Sequence, residues 1–434
     1  METTHSQLML GRSVQFLYEE HLARTELVAL GCTGCERPGD HWGRLVAHVN
    51  GNAPRILERS AYIGALDGRD TVYAQLIRPR YQGGAFNRTR SVNQYLTHWI
   101  YPYRGKFHPQ MVRALYNILG AKPGDVACEP FVGSGTAALE ASLLGLRVVG
   151  VDISPLCVLL TKVKTTAWMA VDEIRAFVGS ALQGDVTRLR LPPDASESLR
   201  DFVEVARMVT ASDVARRHRD EAASFRKNLD AMLESVTAHA DAVKRFALTP
   251  GSVTVSVGDA RALGNSGIGA NSVDVIVTSP PYSIALDYVK NDDHALEAMG
   301  IDVPDLRTRM TGVRGRNAHD KLRLYNEDMQ AVFHEVARVL KPGARAAFVV
   351  GDATVDGREV TTTGTMADWA RDAGLAVERV IPKIVFGLYA TMQDEQILIF
   401  RKESGPGGSE DPPYTRSQGG SSIRPRRACG MMSG

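Results

Sequence analysis

The sequence predicts an α/β fold built on a mostly parallel sheet, and three stretches carry this prediction. Residues 125–136 have the pattern of a short apolar strand, a Gly-rich turn and the start of a helix. Residues 147–152 follow as a second strand, and residues 273–277 form a third, short and entirely apolar except for one Asp. Strands that alternate with helices in this way indicate βαβ units, whose ligands bind at the carboxyl ends of the strands.

The turn after the third strand consists of Thr278, Ser279, Pro280, Pro281 and Tyr282. Two consecutive prolines cannot donate backbone hydrogen bonds, so they must end the strand. The turn then offers a small hydroxyl, unclaimed carbonyls and an aromatic ring. These groups suit a planar base that carries an exocyclic amine. The alternative is an ordinary Pro-Pro strand exit with a packed tyrosine.

The Gly-rich turn predicts a second ligand site at the same edge. Gly133 and Gly135 allow the backbone to turn tightly and to approach a ligand closely. Asp152 ends the following strand, where a carboxylate can accept both hydroxyls of a ribose. Together with Ala138 the glycines also satisfy the pattern G-x-G-x-x-A, so a dinucleotide site is an alternative.

Together, these stretches resemble the amino-methyltransferases of DNA, the N4-cytosine and N6-adenine group that uses S-adenosylmethionine (SAM). The family's cofactor loop, Asp-Pro-Phe-x-Gly-x-Gly-Thr, corresponds to residues 129–136, with Glu129 in place of the usual Asp. Its catalytic tetrapeptide corresponds to residues 279–282, and residues 103–109 resemble the segment that closes over the methionine end of SAM. The resemblance covers roughly residues 93–165 and 250–402. It implies a Rossmann-like class I SAM-dependent methyltransferase core with a seven-stranded sheet.

The resemblance also implies roles for individual residues. The residues that act on the target base are Ser279, Pro280, Pro281 and Tyr282. The residues that bind SAM are Lys106, Phe107, His108, Glu129, Phe131, Gly133, Gly135, Thr136, Asp152, Ile153, Asp259 and Ala260. Asp259 is placed beside the adenine, where its carboxylate can accept from the N6 amine. No metal is implied.

The implied reaction is direct methyl transfer to the N4 amine of cytosine in double-stranded DNA, with the target base flipped out of the helix. A serine at position 279 after a threonine is typical of the N4-cytosine branch. Adenine-N6 methylation stays open because one type of pocket serves both amines. An RNA (tRNA guanine-N2) methyltransferase also stays open, although that group usually carries Asp-Pro-Pro-Tyr. A cognate restriction endonuclease is a candidate partner.

Two further classes of protein are less consistent with the sequence. A NAD-type oxidoreductase would leave the tetrapeptide and Asp259 without a role. A DNA-binding protein on an inactive methyltransferase fold would not need the intact tetrapeptide and Asp152. Carbon-5 methylation requires a Cys nucleophile, usually in a Pro-Cys dipeptide, and the chain has no Pro-Cys.

Composition is that of a soluble globular protein. Of the 434 residues 44% are hydrophobic and 23% are charged, and the net charge is only +2, so a nucleic-acid surface must be a local patch. Five cysteines do not make a disulfide framework. The sequence shows no signal peptide and no apolar run of membrane-spanning length, so we expect a cytoplasmic enzyme without a membrane partner.

Five segments are predicted along the chain. The catalytic domain is formed by a SAM-binding half, 93–164, and a catalytic half, 249–402. Between them lies a helical insertion, 165–248, which is the first candidate for target recognition, with a lid or dimer arm as the alternative. An N-terminal extension, 1–92, precedes this domain and a disordered tail, 403–434, follows it.

Three groups of residues outside the motifs are candidates for binding. The first is a basic and aromatic surface in the N-terminal extension: Arg78, Arg80, Tyr81, Phe86, Arg88 and Arg90. The second is a basic stretch in the long connection 283–325: Arg307, Arg309, Arg314, Arg316, Lys321 and Arg323. The third is a set of zinc-ligand types, with free thiols as the favoured alternative: Cys32, Cys35, His41 and His48.

Overall fold

A computed structural model describes the residues 5–39, 41–78, 90–281, 288–351, 353–355, 358–360, 362–386 and 392–404. The strands are β1 Ser6–Leu10, β2 Thr33–Glu36, β3 Arg44–His48, β4 Ile63–Leu66, β5 Arg69–Asp70, β6 Val126–Glu129, β7 Arg147–Asp152, β8 Val253–Val257, β9 Val273–Thr278, β10 Leu340–Gly351, β11 Ala353–Val355, β12 Arg358–Val360, β13 Leu375–Phe386 and β14 Met392–Lys402.

The helices are α1 Leu17–Ala29, α2 Ala53–Arg59, α3 Val72–Leu76, α4 Arg90–Gln94, α5 Pro109–Ile118, α6 Thr136–Leu143, α7 Pro155–Thr166, α8 Val171–Gln183, α9 Glu197–Arg217, α10 Glu221–Arg245, α11 Tyr288–Ala298, α12 Val303–Arg309, α13 Ala318–Val339 and α14 Thr362–Asp372. No helix in the described ranges is both long enough and apolar enough to cross a membrane.

The central element is a seven-stranded sheet with the order β13-β14-β10-β9-β6-β7-β8. Strands β6, β7, β8, β9 and β10 pair in parallel, and β14 is antiparallel to both of its neighbours. This arrangement confirms the predicted α/β fold with a mostly parallel seven-stranded sheet. The three strands that carried the prediction, β6, β7 and β9, lie side by side in the middle of the sheet.

The connection 283–325 was predicted as a long loop, and this prediction is wrong for its described part. Helices α11 and α12 occupy most of residues 288–309, and α13 begins at Ala318, inside the range of the predicted connection. The apolar residues Val289, Leu296 and Leu306 are buried in one hydrophobic cluster with the insertion, which explains why these segments are helical.

The N-terminal segment forms a second sheet with the order β2-β3-β1-β4-β5, covered by α1. It does not have a separate core. Leu8, Leu22 and Tyr62 belong to the same hydrophobic cluster as Val275 and Ala347 of the large sheet. The N-terminal segment and the catalytic sheet therefore pack as one body.

A buried polar network reinforces this junction. Arg59 donates to the Oδ1 atom of Asn117 at 3.0 Å and to the carbonyls of Ala121 and Leu144 at 2.9 and 3.2 Å. Asn117 donates in turn to the carboxylate of Glu26 at 2.8 Å. Since Arg59 is only 5% exposed, these partners have little access to water.

We predict that Arg59→Ala lowers the free energy of unfolding by about 3 kcal/mol, because three buried acceptors lose their donor. Urea denaturation measures this change. Arg55→Ala on the same helix is the control, since Arg55 is half-buried rather than buried. A loss no larger than that of the control would contradict the role given to this network.

The helical insertion packs against the cofactor side of the sheet. Phe202 of α9 and Leu229 of α10 are fully buried together with Leu156 and Leu160 of α7, which follows β7. Helices α9 and α10 form a helical hairpin within the predicted insertion, with Ser196 and Asp220 as N-terminal caps. The insertion is thus anchored beside the Gly-rich turn.

Candidate active site

Four parallel strands end at one edge of the sheet and bring the predicted residues together. In the pairing register Glu129 of β6 lies opposite Gly150 of β7, and Asp152 lies opposite Val257 of β8. Strand β9 is the other neighbour of β6 and leads directly into Ser279. The SAM-binding and catalytic motifs therefore share this edge, as expected for parallel strands.

The Gly-rich turn has a backbone that requires glycine. Gly133 and Gly135 have φ angles of +51° and +77°, in the left-handed region. A Cβ atom on Gly135 would stand 2.6 Å from the Oγ1 atom of Thr161. The turn can thus pass close to α7 and present its backbone to a ligand, which fits the cradle that SAM needs.

Asp152 is held at this turn by two backbone groups. The N–H of Gly133 donates to its Oδ2 atom at 2.8 Å, and the N–H of Ser154 donates to its Oδ1 atom at 2.9 Å. Burial raises the pKa of Asp152 above its ordinary value, and the hydrogen bonds from Ser154 and Gly133 oppose that rise. A fixed, partly exposed carboxylate at this position fits the ribose of SAM.

The remaining predicted SAM-binding residues of this region surround the turn. Phe131 packs in the sheet core, and Ile153 packs against the cluster of the insertion. Thr136 is buried, with its Oγ1 atom 3.3 Å from the Oγ atom of Ser134. These uncharged side chains shape the turn around the carboxylate of Asp152.

Two residues that the sequence analysis did not single out support the turn. The ammonium of Lys164, which is 1% exposed, donates to the Ser134 carbonyl at 2.8 Å. The ring of Tyr103 lies over Gly133, where a Cβ would stand 3.7 Å from the Tyr103 hydroxyl. The thiol of Cys157 donates to that hydroxyl at 3.8 Å. Tyr103 is the first residue of the segment that resembles the family's SAM-covering motif, and this resemblance was the signal in the sequence that could have identified Tyr103.

Three other residues of this segment, Lys106, Phe107 and His108, make internal contacts. Lys106 donates to the carbonyls of Asn93 and His98, and burial lowers its pKa to about 7. His108 caps helix α5 by accepting the N–H of Met111 at 3.4 Å. Phe107 packs against the core shared with the N-terminal segment. In this structure these three side chains fix the course of the segment.

Glu129 joins the cofactor strand to the catalytic strand. Its buried carboxylate accepts from the hydroxyl of Thr278 and from the N–H of Phe131, the latter at 3.2 Å. Burial is the main reason that the pKa of Glu129 rises to about 8. The glutamate side chain, which is one methylene longer than that of the usual aspartate, thus reaches Thr278 of β9.

This raised pKa predicts a pH dependence of stability. Between the ordinary pKa of 4.5 and about 8 the folded chain keeps a proton on Glu129 that the unfolded chain has released. The free energy of unfolding must therefore fall as the pH rises through this window. Glu129→Gln, which stays neutral, should lack this fall.

Urea denaturation at about pH 5 and about pH 8 tests this dependence, with Glu36→Gln as an exposed control. The stability of the Glu129→Gln variant relative to wild type should increase toward the higher pH. Parallel pH profiles for the variant and the wild type would show that Glu129 is ionised throughout.

Asp259 lies where β8 leads into a short helical turn, Ala260–Ser266. Both of its carboxylate oxygens accept from the guanidinium of Arg261, at 2.9 and 3.0 Å from Nε. Burial alone would raise the pKa of Asp259, but the hydrogen bonds and charge of Arg261 outweigh it and lower the pKa. Ala260 is buried beside it. Any contact of Asp259 with an adenine amine must be shared with Arg261.

The catalytic turn is held by partners from two other elements. The hydroxyl of Ser279 donates to the carbonyl of Val349 in β10 at 3.1 Å. The hydroxyl of Tyr325 in α13 donates to the carbonyl of Pro281 at 3.0 Å. Pro280 is buried, and Tyr282 lies outside the described residues. The turn is therefore rigid on its described side.

The predicted basic surfaces include residues that are paired within the fold and positions that are not described. Arg309, Arg314 and Arg323 form ion pairs with Asp305, Asp328 and Asp320. Positions 80, 81, 86 and 88 of the N-terminal surface lie outside the described residues. Among the residues that are described, no three His, Cys, Asp or Glu side chains are grouped to hold a metal.

The sheet order, the Gly-rich turn and the fixed carboxylate define a class I SAM-dependent methyltransferase, and SAM is its cofactor. Residues 100–300 match the family UPF0020, described as the RMKL-like methyltransferase domain. This match confirms the class of enzyme that the motifs implied.

Two curated relatives are similar to parts of this chain. The type II methyltransferase M.MjaII of Methanocaldococcus jannaschii is 39% identical over 71 residues, which are 15% of this chain and 12% of that protein. The tRNA (guanine(10)-N2)-dimethyltransferase of Methanothermobacter thermautotrophicus is 37% identical over 117 residues, or 23% of this chain and 34% of that protein. The matched segments thus span about a third or less of each relative. The resemblance to DNA methyltransferases is confirmed, and relatives that act on tRNA stand beside them.

A solved SAM-dependent methyltransferase from Methanosarcina mazei is also similar to this chain. It is 13% identical, with a TM-score of 0.31, and the alignment covers 65% of this chain and 94% of that protein.

Proposed function

We propose that this protein transfers the methyl group of SAM to the exocyclic N4 amine of cytosine in double-stranded DNA. The observation that carries the proposal is the hydrogen bond from the Ser279 hydroxyl to the Val349 carbonyl. Because the hydrogen of that hydroxyl is already engaged, its lone pairs are left to accept a hydrogen from an amine. Ser279 follows Thr278, whose own hydroxyl donates a hydrogen bond to Glu129 of the cofactor strand β6.

An amine conjugated to a base is a weak nucleophile, since its lone pair is delocalised into the ring. Bound SAM supplies an electrophilic methyl group. Ser279 Oγ and the Pro280 carbonyl accept the two amine hydrogens, which draws the nitrogen toward tetrahedral geometry as charge develops. Tyr282 stacks on the base in this proposal. One amine hydrogen leaves as a proton after the nitrogen has gained the methyl group.

The target base must leave the duplex to reach this turn, at a cost of a few kcal/mol. We assign target recognition to the helical insertion, which lies next to the cofactor edge. A cognate restriction endonuclease is the proposed partner, because the relatives that act on DNA include type II methyltransferases.

Methylation of tRNA guanine-N2 is the second candidate, favoured by the relative that is 37% identical to this chain over 117 residues. Adenine-N6 methylation of DNA uses the same turn and differs only in the base. A serine at position 279 is typical of the N4-cytosine branch of the family, so it favours cytosine over adenine and over tRNA guanine.

Parallel transfer assays separate DNA from tRNA as the substrate. The protein is incubated with tritiated SAM and either unmethylated duplex DNA or unmodified tRNA, under one set of conditions. We expect label in DNA. Label in tRNA alone would overturn the DNA assignment while leaving the methyltransferase class intact.

A further inference from the structure

One short segment crosses from the cofactor turn to the helices beyond the catalytic turn. We name residues 101–104 the strap. Tyr101 has a φ angle of +69°, which a bulky side chain rarely adopts, so its surroundings must hold it there. Its ring is buried, and its hydroxyl donates to the Oδ1 atom of Asp292 in α11 at 2.8 Å.

The insertion reaches the same carboxylate. Arg216, in the last turn of α9, donates to the Oδ1 atom of Asp292 at 3.1 Å and to the carbonyl of Pro102 in the strap at 3.3 Å. It also donates to the carbonyl of Asn291. Asp292 is 5% exposed, so its charge depends on these partners.

A second contact fixes the strap from its own side. Arg104 donates to the Oδ1 atom of Asn291 at 3.0 Å. Both anchors, Asn291 and Asp292, lie in the first turns of α11, a few residues after the catalytic turn. The strap is therefore tied to the segment that continues from Pro281.

The other end of the strap is at the cofactor. Tyr103 lies over Gly133 and accepts from the thiol of Cys157 in α7. Tyr103 is only two residues after Tyr101 in the sequence, and its side chain lies at the turn that also holds Asp152. Any shift of Tyr101 is passed to Tyr103 through a single intervening proline.

We propose that Arg216 is a positioning residue for SAM: through Asp292 and Pro102 it holds the strap, and with it Tyr103, over the Gly-rich turn. The helical insertion then has a role in retaining the cofactor. The inference rests on the SAM site of the proposed function and not on which base is methylated.

The test is the dissociation constant for SAM, measured by isothermal titration calorimetry without nucleic acid. Arg216→Met and Tyr101→Phe should each raise it about tenfold, because each removes one bond to a buried carboxylate. The double variant should raise it by much less than the product of the two effects, since both bonds hold one strap. Arg217→Met is the matched control, a neighbour on α9 that pairs with Asp213.

Melting temperatures and the KM for DNA complete the design. If Arg216→Met and Tyr101→Phe lower the melting temperature but leave SAM affinity unchanged, the contacts are only structural and the inference is wrong. If Arg216→Met raises the KM for DNA alone, Arg216 contacts nucleic acid and the inference is equally wrong. Because Tyr101→Phe removes a single hydroxyl, it remains a test even where the arginine variant does not fold. None of these results bears on the methylated base.

Discussion

Ser279→Ala is expected to lower kcat by at least about a hundredfold while leaving the dissociation constant for SAM unchanged. In the proposed function the hydroxyl accepts an amine hydrogen most strongly in the transition state, so its removal should affect the chemical step rather than cofactor binding. Its backbone neighbours stay in place because Tyr325 still holds the turn through Pro281. Single-turnover methylation and calorimetry with SAM measure the two quantities.

Ser272→Ala is the matched control for this variant. Ser272 precedes the other end of β9, and its hydroxyl donates to the Gly269 carbonyl at 2.7 Å. The control should leave transfer unchanged. Activity of Ser279→Ala within about twofold of wild type would contradict the role of the hydroxyl, since one lost oxyanion-type contact costs far more.

Asp152→Ala is expected to produce the opposite pattern, with SAM binding weakened at least about a hundredfold. The change removes the carboxylate proposed for the ribose, and it leaves the N–H groups of Gly133 and Ser154 without their acceptor. The turn that must present its backbone to the cofactor then loses its anchor. Transfer at saturating SAM should recover part of the wild-type rate.

Thermal unfolding provides a simple measurement of this effect. SAM at a hundredfold excess over its dissociation constant should stabilise the wild type by roughly 2.7 kcal/mol, and NAD should not. Asp152→Ala should lose this stabilisation. Asp125→Ala, at the opposite end of β6 where its carboxylate accepts the Lys122 N–H at 2.8 Å, should keep it. Equal stabilisation of both variants by SAM would contradict the assignment of Asp152.

The central sheet could be predicted from the sequence because its signals are local. Each of the strands β6, β7 and β9 is mostly apolar and is followed by, or ends in, a residue with special chemistry or geometry. Gly133 and Gly135 occupy positive φ angles that few other residues tolerate. The edge on which the two motifs meet follows from these strands alone.

The features that the sequence did not reveal depend on contacts between distant residues. Asn117 meets Glu26 across 91 positions, and Thr278 meets Glu129 across 149. No periodicity encodes such pairs, so the shared core of the N-terminal segment and the link between the two motifs appear only in the folded chain. The role of Lys164 could not be predicted for the same reason, since its partner is a backbone carbonyl 30 residues away.

The basic stretch 307–323 contains arginines that form ion pairs within the fold. It was predicted as a candidate for binding, and one of its residues, Arg314, shares the buried carboxylate of Asp328 with Arg261. A charge that is neutralised within the fold attracts phosphate weakly. Spacing alone does not distinguish an arginine that closes an internal ion pair from one that faces DNA.

The most direct test of the proposed function is the identity of the methylated nucleoside. The protein is incubated with SAM and unmethylated DNA, the DNA is hydrolysed to nucleosides, and these are identified by mass spectrometry. We predict N4-methylcytosine, formed by the wild type and absent with Ser279→Ala. N6-methyladenine as the product, or no methylated nucleoside in DNA while tRNA is methylated in parallel, would contradict the account.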